Sequence, residues 1–223
     1  MLQATLRFAQ TAYASTKRLF SNLFFEDALG VETNRPVALK DLGLAHSDRV
    51  DYDPSPWLAL RRILPRNEVG PDDVFADFGC GKGRVLVQAA GYPFRRLIGI
   101  ELSPELHAVA GANLDRSLPP ARRADVELVN KDVLDYAIPD DITVAYFYNP
   151  FAGAIFANVI DRLAASVRSR PRALRIIYVN PVEEAAVLAA GAKLTREVRG
   201  LRPGKNWSLR KSIRMYTLAP PPC

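Results

Sequence analysis

Five residues, Gly79-Cys80-Gly81-Lys82-Gly83, follow directly on Asp77-Phe78 and lead into the apolar run "RVLVQAA". Glycines there let the backbone turn sharply and come close to a ligand, and N–H groups at a helix start are free to point at it. Several chemistries use such a loop. A phosphate-binding P-loop needs G-x-x-x-x-G-K-[ST], but Gly83 stands after Lys82 where a hydroxyl residue is required. A dinucleotide fingerprint needs G-x-G-x-x-G, and here the third glycine comes one position early. Asp77-Phe78-Gly79 spells the metal-binding triplet of protein kinases, yet neither an H-R-D loop nor an upstream G-x-G-x-x-G accompanies it.

Asp77 discriminates further than the glycines do. A carboxylate at the end of a strand, beside the loop, is a poor neighbour for a pyrophosphate and suits a ligand that is cationic there, such as an ammonium next to a sulfonium. A second carboxylate, Glu101, ends the next apolar run 18 residues after Gly83. That is close to the ~20-residue spacing at which an acid reaches ribose hydroxyls in a doubly wound sheet; the plain alternative is an acid flanking the helix that begins at Ser103-Pro104. Asn149-Pro150-Phe151 follows the run "VAYFY" and so falls where open α/β sheets bind ligands, although an Asx–Pro turn into the next helix would look the same.

These residues need a scaffold, and the chain supplies an alternating one. "VFADF" (74–78), "RLIGIE" (96–101), "DVELVN" (125–130), "ITVAYFY" (142–148) and "ALRIIYV" (173–179) read as strands bounded by Gly, Pro, Asp or Asn. Ser103 is placed to cap a helix with Pro104 at its first position, and Leu106, Val109, Ala110 and Leu114 keep helical spacing behind it. Ile155, Phe156, Val159, Ile160, Leu163 and Val167 form a second helical stripe that reads as core. Strand and helix in alternation predict an α/β fold, a Rossmann-like doubly wound, mostly parallel sheet. Residues 192–200 and 211–219 read as two strands around "LRPGKNWS", a C-terminal antiparallel pair.

Residues 2–24 predict an amphipathic helix, with Leu6, Tyr13 and Phe20 a heptad apart; packing on the domain as a lid is the expectation, against a transit peptide or membrane-surface helix. Residues 25–56 read as largely irregular, and Pro54 and Pro56 hold the chain extended before a short helix. The division expected is an N-terminal extension, 1–55, and one ligand-binding domain, 56–223.

Composition excludes other classes. The 223 residues are 48% hydrophobic, enough for one sizeable core, and no run of about 18 apolar residues suggests a membrane span. Two cysteines, Cys80 and Cys223, allow one disulfide, but their sparseness fits a reducing, cytoplasmic setting better. Two histidines, His46 and His107, with no Cys/His spacing, leave no zinc ligand set and few parts for a nucleophilic triad, so no metal is expected. The net charge of +6 is uneven: residues 1–160 carry 17 Lys and Arg against 20 Asp and Glu (−3), residues 161–223 carry 13 against 4 (+9). A basic tail could face nucleic acid, but an arginine-rich solvated surface is the simpler reading.

As a set, "DFGCGKGR", "IGIELSPEL", "NKDVLDY" and "YFYNPF" resemble the successive motifs of class I S-adenosylmethionine-dependent methyltransferases, over about residues 50–180. "ALGVETNRPVALKDLGL", "YDPSPW" and "YPFRRLIGIELSPELH" are similar to a group of bacterial methyltransferases of poorly defined substrate. The resemblance implies S-adenosyl-L-methionine as cofactor. Asp77, Gly79, Gly81 and Gly83 would shape its methionine and ribose end, Glu101 would take the ribose hydroxyls, and Asp132 would meet the adenine amine with Val133 beside the ring. Cys80, Leu102 and Asn149 complete the implied cofactor set; for Asp132, capping of its own loop is a rival role.

Amino-group methyltransferases use N-P-P-[YF] at the place of Asn149, Pro150 and Phe151, where the amide orients the target nitrogen and the aromatic packs on it. The single proline here departs from the nucleic-acid and glutamine-modifying pattern. The resemblance also extends to the disruptor-of-telomeric-silencing type of histone lysine methyltransferase. It therefore implies methyl transfer to an amine or other nucleophile on a protein side chain or small molecule, with Tyr52 and Tyr148 lining the methyl channel or simply packing. A nucleic-acid methyltransferase and a non-catalytic cofactor-binding protein are the alternatives.

Overall fold

The computed structural model describes residues 25–44, 46–199 and 212–220. The helix read over 2–24, the "LRPGKNWS" connection and Cys223 lie outside the described residues.

Seven strands form one sheet: β1 (Val74–Phe78), β2 (Arg96–Glu101), β3 (Val126–Asn130), β4 (Val144–Phe147), β5 (Leu174–Val179), β6 (Lys193–Arg199) and β7 (Ser212–Leu218). Their order is β3-β2-β1-β4-β5-β7-β6. The first five are parallel; β7 runs antiparallel to both β5 and β6, which makes the expected C-terminal pair. β1 and β4 are buried along their whole length, whereas the edge strands β3 and β6 are largely half-buried or exposed. That gradient explains why the central strands read as unbroken apolar runs and the edges as mixed ones.

The pleat sends alternate residues to opposite layers. Val74, Ala76 and Phe78 of β1, with Ile98 and Ile100 of β2, join the core beneath α6 (Gly153–Ser169) and α7 (Glu184–Ala189). Phe75 and Leu97 join the opposite core, under α2 (Ala59–Ile63), α3 (Arg84–Ala89) and α4 (Pro104–Ser117). Two shorter helical segments, α1 (Asp27–Leu29) and α5 (Pro120–Arg123), sit in the connections. The stripe read on α6 is the buried face observed, Ile155, Phe156, Val159, Ile160, Leu163 and Val167, with Ala164 added. Each such large apolar side chain contributes roughly 1.5–3 kcal/mol on burial. Ser103 accepts a hydrogen bond from the Leu106 N–H at 3.1 Å, and Pro104 opens α4 as the sequence predicts. Of the spacing read on α4, Leu106, Ala110 and Leu114 are buried while Val109 is half-buried.

The parity matters for the site. Asp77 shares the parity of Phe75, and Glu101 that of Leu97 and Gly99. Both carboxylates thus leave the carboxyl ends of their strands on the α3/α4 side. A Cβ on Gly99 would meet Leu86 Cδ1 at 2.5 Å and Cys80 Sγ at 3.0 Å, so glycine in β2 lets α3 and the loop before it sit tight on the sheet. The order of strands reverses between β1 and β4, and the crevice at that switch point is where a doubly wound sheet offers a ligand site.

Candidate functional site

A cleft of about 910 Å³, open mouth included, lies at this switch point. The turn after β1, the ends of β2, β3 and β4, and residues 49–55 of the preceding segment all line it.

Gly79, Gly81 and Gly83 all have left-handed φ, +76°, +54° and +80°, which an L side chain rarely adopts. Each also admits one neighbour. A Cβ at Gly79 would lie 2.2 Å from Pro150 Cβ, one at Gly81 2.2 Å from the Tyr52 ring, and one at Gly83 3.3 Å from Ala110 Cβ. The glycines therefore bring the loop against the turn after β4, against Tyr52 and against α4. Four of the loop's amides are bonded within the protein. Gly79 and Cys80 N–H donate to Ile100 O at 2.9 and 3.0 Å, Gly83 N–H to Cys80 O at 2.9 Å, and Gly81 N–H to Glu101 Oε2 at 2.8 Å. Pairing the Gly79, Cys80 and Gly81 donors with β2 satisfies them locally.

Asp77 and Glu101 differ sharply. Glu101 is buried, and its carboxylate takes N–H groups on both oxygens, from Gly81 and from Ser103, each at 2.8 Å. Burial still pushes its carboxyl above the ordinary range, with those backbone donors opposing. Asp77 is also buried, and burial, then the charge of Glu101, holds its carboxyl well above the ordinary range with no hydrogen bond to offset them. A buried acceptor without a donor, lining a cleft, is matched by a cationic ligand. Cys80 beneath them has its thiol pushed well up, by burial first and then by Glu101 and Asp77, and so is not a nucleophile here.

Asp132, Val133 and Leu102 line the same cleft. Val133 is buried. Asp132 accepts from Leu134 N–H on Oδ1 at 3.0 Å, the loop-capping role, and from Arg49 Nη2 on Oδ2 at 2.9 Å. Asn149, immediately after β4, has φ +44°, unusual for a residue with a side chain, and its buried Oδ1 has no hydrogen-bond partner among the described residues. Pro150 packs on Gly79. Phe151 turns into the core, edge-on to Phe147 with ring centroids 6.3 Å apart, while also bordering the cleft. All the residues singled out from the sequence except Gly83 line this one cleft, and Gly83 shapes the loop behind it.

Tyr52 and Tyr148, read from the sequence as lining the methyl channel or simply packing, both border the cleft, but sequence reasoning missed how the segment before the sheet is anchored. Tyr52 lies over Gly81 and donates its hydroxyl to Thr33 O at 2.8 Å; burial raises its phenol well above the ordinary value. Tyr148 donates to Asp53 Oδ2 at 2.9 Å. Arg84, the first residue of α3, is buried: it donates to Thr33 Oγ1 at 2.6 Å, Ser55 O at 2.8 Å, Asn34 Oδ1 at 2.5 Å and Glu26 Oε1 at 3.0 Å, and stacks on Trp57 4.8 Å from the ring centre. Asn113 of α4, buried as well, accepts from Glu32 N–H at 2.9 Å and donates to Glu32 O at 3.2 Å. The local signal for this was an arginine opening an otherwise apolar helix; nothing local named its partners.

No family model matches the chain. Two curated relatives do. A protein-lysine N-methyltransferase of Saccharolobus islandicus (strain REY15A) is 32% identical over 75 residues, 33% of this chain and 47% of that protein. A histone-lysine N-methyltransferase, H3 lysine-79 specific, of Dictyostelium discoideum is 35% identical over 80 residues, 36% of this chain and 4% of that protein. The match thus spans about half of the first relative and a small part of the second. Among solved structures, an RNA methyltransferase from Salinibacter ruber in complex with S-adenosyl-L-homocysteine superposes with a TM-score of 0.52 at 20% identity, covering 76% of this chain and 95% of that one. The fold is that of the class I S-adenosylmethionine-dependent methyltransferases, as the motif resemblance implied.

Proposed function

We propose that the chain is an S-adenosylmethionine-dependent methyltransferase that acts on an amine nitrogen of a protein side chain or small molecule. The residues present fit the cofactor. Asp77 offers an unpartnered buried carboxylate to its ammonium, Glu101 keeps spare lone pairs for ribose hydroxyls after taking two N–H groups, and Val133 gives the base an apolar wall. S-adenosylmethionine, when bound, supplies a methyl group already activated on a sulfonium. The protein's part is to align the acceptor and exclude water. We further propose the organisation read from the sequence: an extension, 1–55, which contributes a wall of the cleft, and a methyltransferase domain, 56–223.

The observation that carries the acceptor is Asn149. Its buried Oδ1 lacks a donor, in the turn held against the glycine loop by Pro150, and an amine N–H is the group that would satisfy it. Only the free amine has a lone pair, so a lysine ammonium captured at the mouth first gives a proton to solvent; accepting a remaining N–H then orients that lone pair toward the cofactor end of the cleft. Asp51 and Asp53, both exposed, line the cleft against one exposed cation, Lys131, and this net acidic balance favours a cationic acceptor over a phosphodiester. The two curated relatives carry lysine methyltransferase names, which supports a lysine side chain as the acceptor.

The experiment is labelled S-adenosylmethionine offered with a lysine-rich protein, with small amines and with total RNA in parallel. Label on lysine or on a small amine, lost in Asn149→Ala, is expected. Label on RNA alone would replace the amine reading with the nucleic-acid one. Cofactor binding with no label in any acceptor would favour a binding protein without catalysis.

A further inference from the structure

Among the described residues, only two other than glycine have left-handed φ, Asn149 at +44° and Asn180 at +56°. Both are asparagines, and a proline follows each, Pro150 and Pro181. A residue before proline is driven to extended backbone, so left-handed φ at two such positions is doubly unusual. The two turns also stand side by side. Parallel β4 and β5 pair Phe147 with Tyr178, and each asparagine lies two residues further on, past the carboxyl end of its strand. Neighbouring strands lie about 4.8 Å apart, which makes the turns adjacent along the sheet edge.

The ledge they form is fixed. Glu183 Oε1 accepts from Gly153 N–H at 3.1 Å and so ties the turn after β5 to the start of α6. Glu183 N–H donates to the Tyr178 hydroxyl at 3.3 Å, and Asn180 N–H donates to Ser212 O of β7 at 2.9 Å. Asparagine tolerates left-handed backbone largely because its side chain can bond locally. Here neither carboxamide does: the side chains of Asn149 and Asn180 make no hydrogen bond within the described residues. Both amides are left unspent by the turns that hold them. Asn180 is half-buried and lies one strand beyond the lining of the cleft. Two residues further on is Val182, at 64% the most exposed of the large apolar side chains described.

We propose that Asn180 binds the backbone of the acceptor: with the ε-amine of a lysine at Asn149, the Asn180 carboxamide holds a peptide group beside that lysine, and the acceptor chain passes over Val182. The acceptor is then a lysine within a polypeptide segment, not a free small amine. The proposal rests on the amine-methyltransferase reading and adds to it the part of the substrate that does not react. The four-carbon stem of lysine is long enough to bridge one strand spacing. A carboxamide offers a donor and an acceptor, as a peptide group does, so the two can meet at two points. That contact is made alike before and during transfer, and it therefore belongs in KM.

The full chain is assayed with labelled S-adenosylmethionine on an acetylated, amidated alanine heptapeptide with one central lysine, and on n-butylamine, which keeps only the reacting end. The parent is expected to show a kcat/KM about 10-fold higher for the peptide. Asn180→Gly keeps the left-handed turn, since glycine adopts that φ freely, and removes the carboxamide. It should raise KM for the peptide about 5- to 10-fold with kcat nearly unchanged, the scale of one hydrogen bond, and leave n-butylamine unaffected. An Asn180→Gly protein that handles the peptide as the parent does makes Asn180 a turn residue and overturns the proposal, as does one that loses both acceptors equally. Should Asn180→Gly not fold by circular dichroism, the parent decides: equal kcat/KM for the two acceptors overturns the peptide contact and leaves the amine reading standing. A parent that binds S-adenosylhomocysteine yet methylates neither amine removes the amine reading, and the peptide contact with it.

Discussion

Asp77 is the residue whose environment is most at odds with its charge. It is buried, takes no compensating hydrogen bond, and faces the charge of Glu101, so its carboxyl is held well above the usual carboxylate range. A folded-state value raised above the unfolded one, about 3.9, adds stability that is fully present below pH ~4. That stability is lost as pH rises through the raised value, because the folded protein must then ionise a buried group. Asp77→Asn cannot ionise. Without ligand it is expected to melt higher than the parent at pH 8, with the gap closing as pH is lowered toward 4, in thermal melts run across that window. The same variant should bind S-adenosylhomocysteine about 10- to 100-fold more weakly, the loss of a charge-assisted hydrogen bond in a buried site. A variant that is less stable than the parent at every pH would show that Asp77 is structural.

At the scale of elements, one buried charge is a main anchor of the segment before the sheet, beside the Asn113–Glu32 bonds. Arg84 of α3 holds Glu26, Thr33, Asn34 and Ser55 together, and Glu26 closes the set by accepting from Thr33 N–H at 2.7 Å. Removing one partner of a buried ion pair leaves the other unpaired, at a cost of about 3–5 kcal/mol. Glu26→Ala should lose that much in urea unfolding and become sensitive to limited proteolysis within 34–53, while a loss below about 1 kcal/mol would mean the segment is held by its apolar contacts instead. This anchoring is also where the sequence stops being readable. The strands, the Ser103 cap and the α6 stripe follow from local apolar periodicity, and the observed elements agree with them to within a residue or two. The order of Asp77, the glycines, Glu101, Asp132 and Asn149 was legible too, because each lies in or just after the carboxyl end of a strand. The pairings of Arg84 with Glu26 and of Arg49 with Asp132 span 58 and 83 residues and obey no local period. The pairing of the Gly79 and Cys80 amides was hidden for a related reason: it depends on the carbonyl of Ile100 in a neighbouring strand.

At the scale of the whole molecule, part of the uneven charge is folded into pairs among the described residues. Arg170, Arg175 and Arg196 of the basic third meet Asp140, Asp73 and Glu68 of the acidic part at 3.0, 2.8 and 2.9 Å, and Arg214 engages both Glu184 and Glu197. Each such pair adds little stability. Their effect is on the field: these arginines are poorly available to a phosphate backbone. The cleft carries the opposite bias, since Arg49 and Arg84 are paired with Asp132 and Glu26 while two exposed carboxylates, Asp51 and Asp53, stand there against one exposed cation, Lys131. An acidic mouth draws a cationic acceptor across distances comparable to the Debye length, about 10 Å at 0.1 M salt and 3 Å at 1 M. For a lysine-containing peptide, kcat/KM should therefore fall several-fold, roughly 3- to 10-fold, between 0.05 and 0.5 M salt, with kcat nearly constant because the aligned complex is unchanged. Asp53→Asn, which can still accept from Tyr148, should flatten that dependence by removing the charge and keeping the contact. A parent whose kcat/KM rises with salt, or whose dependence is the same after Asp53→Asn, would show that acceptor capture does not run through this mouth.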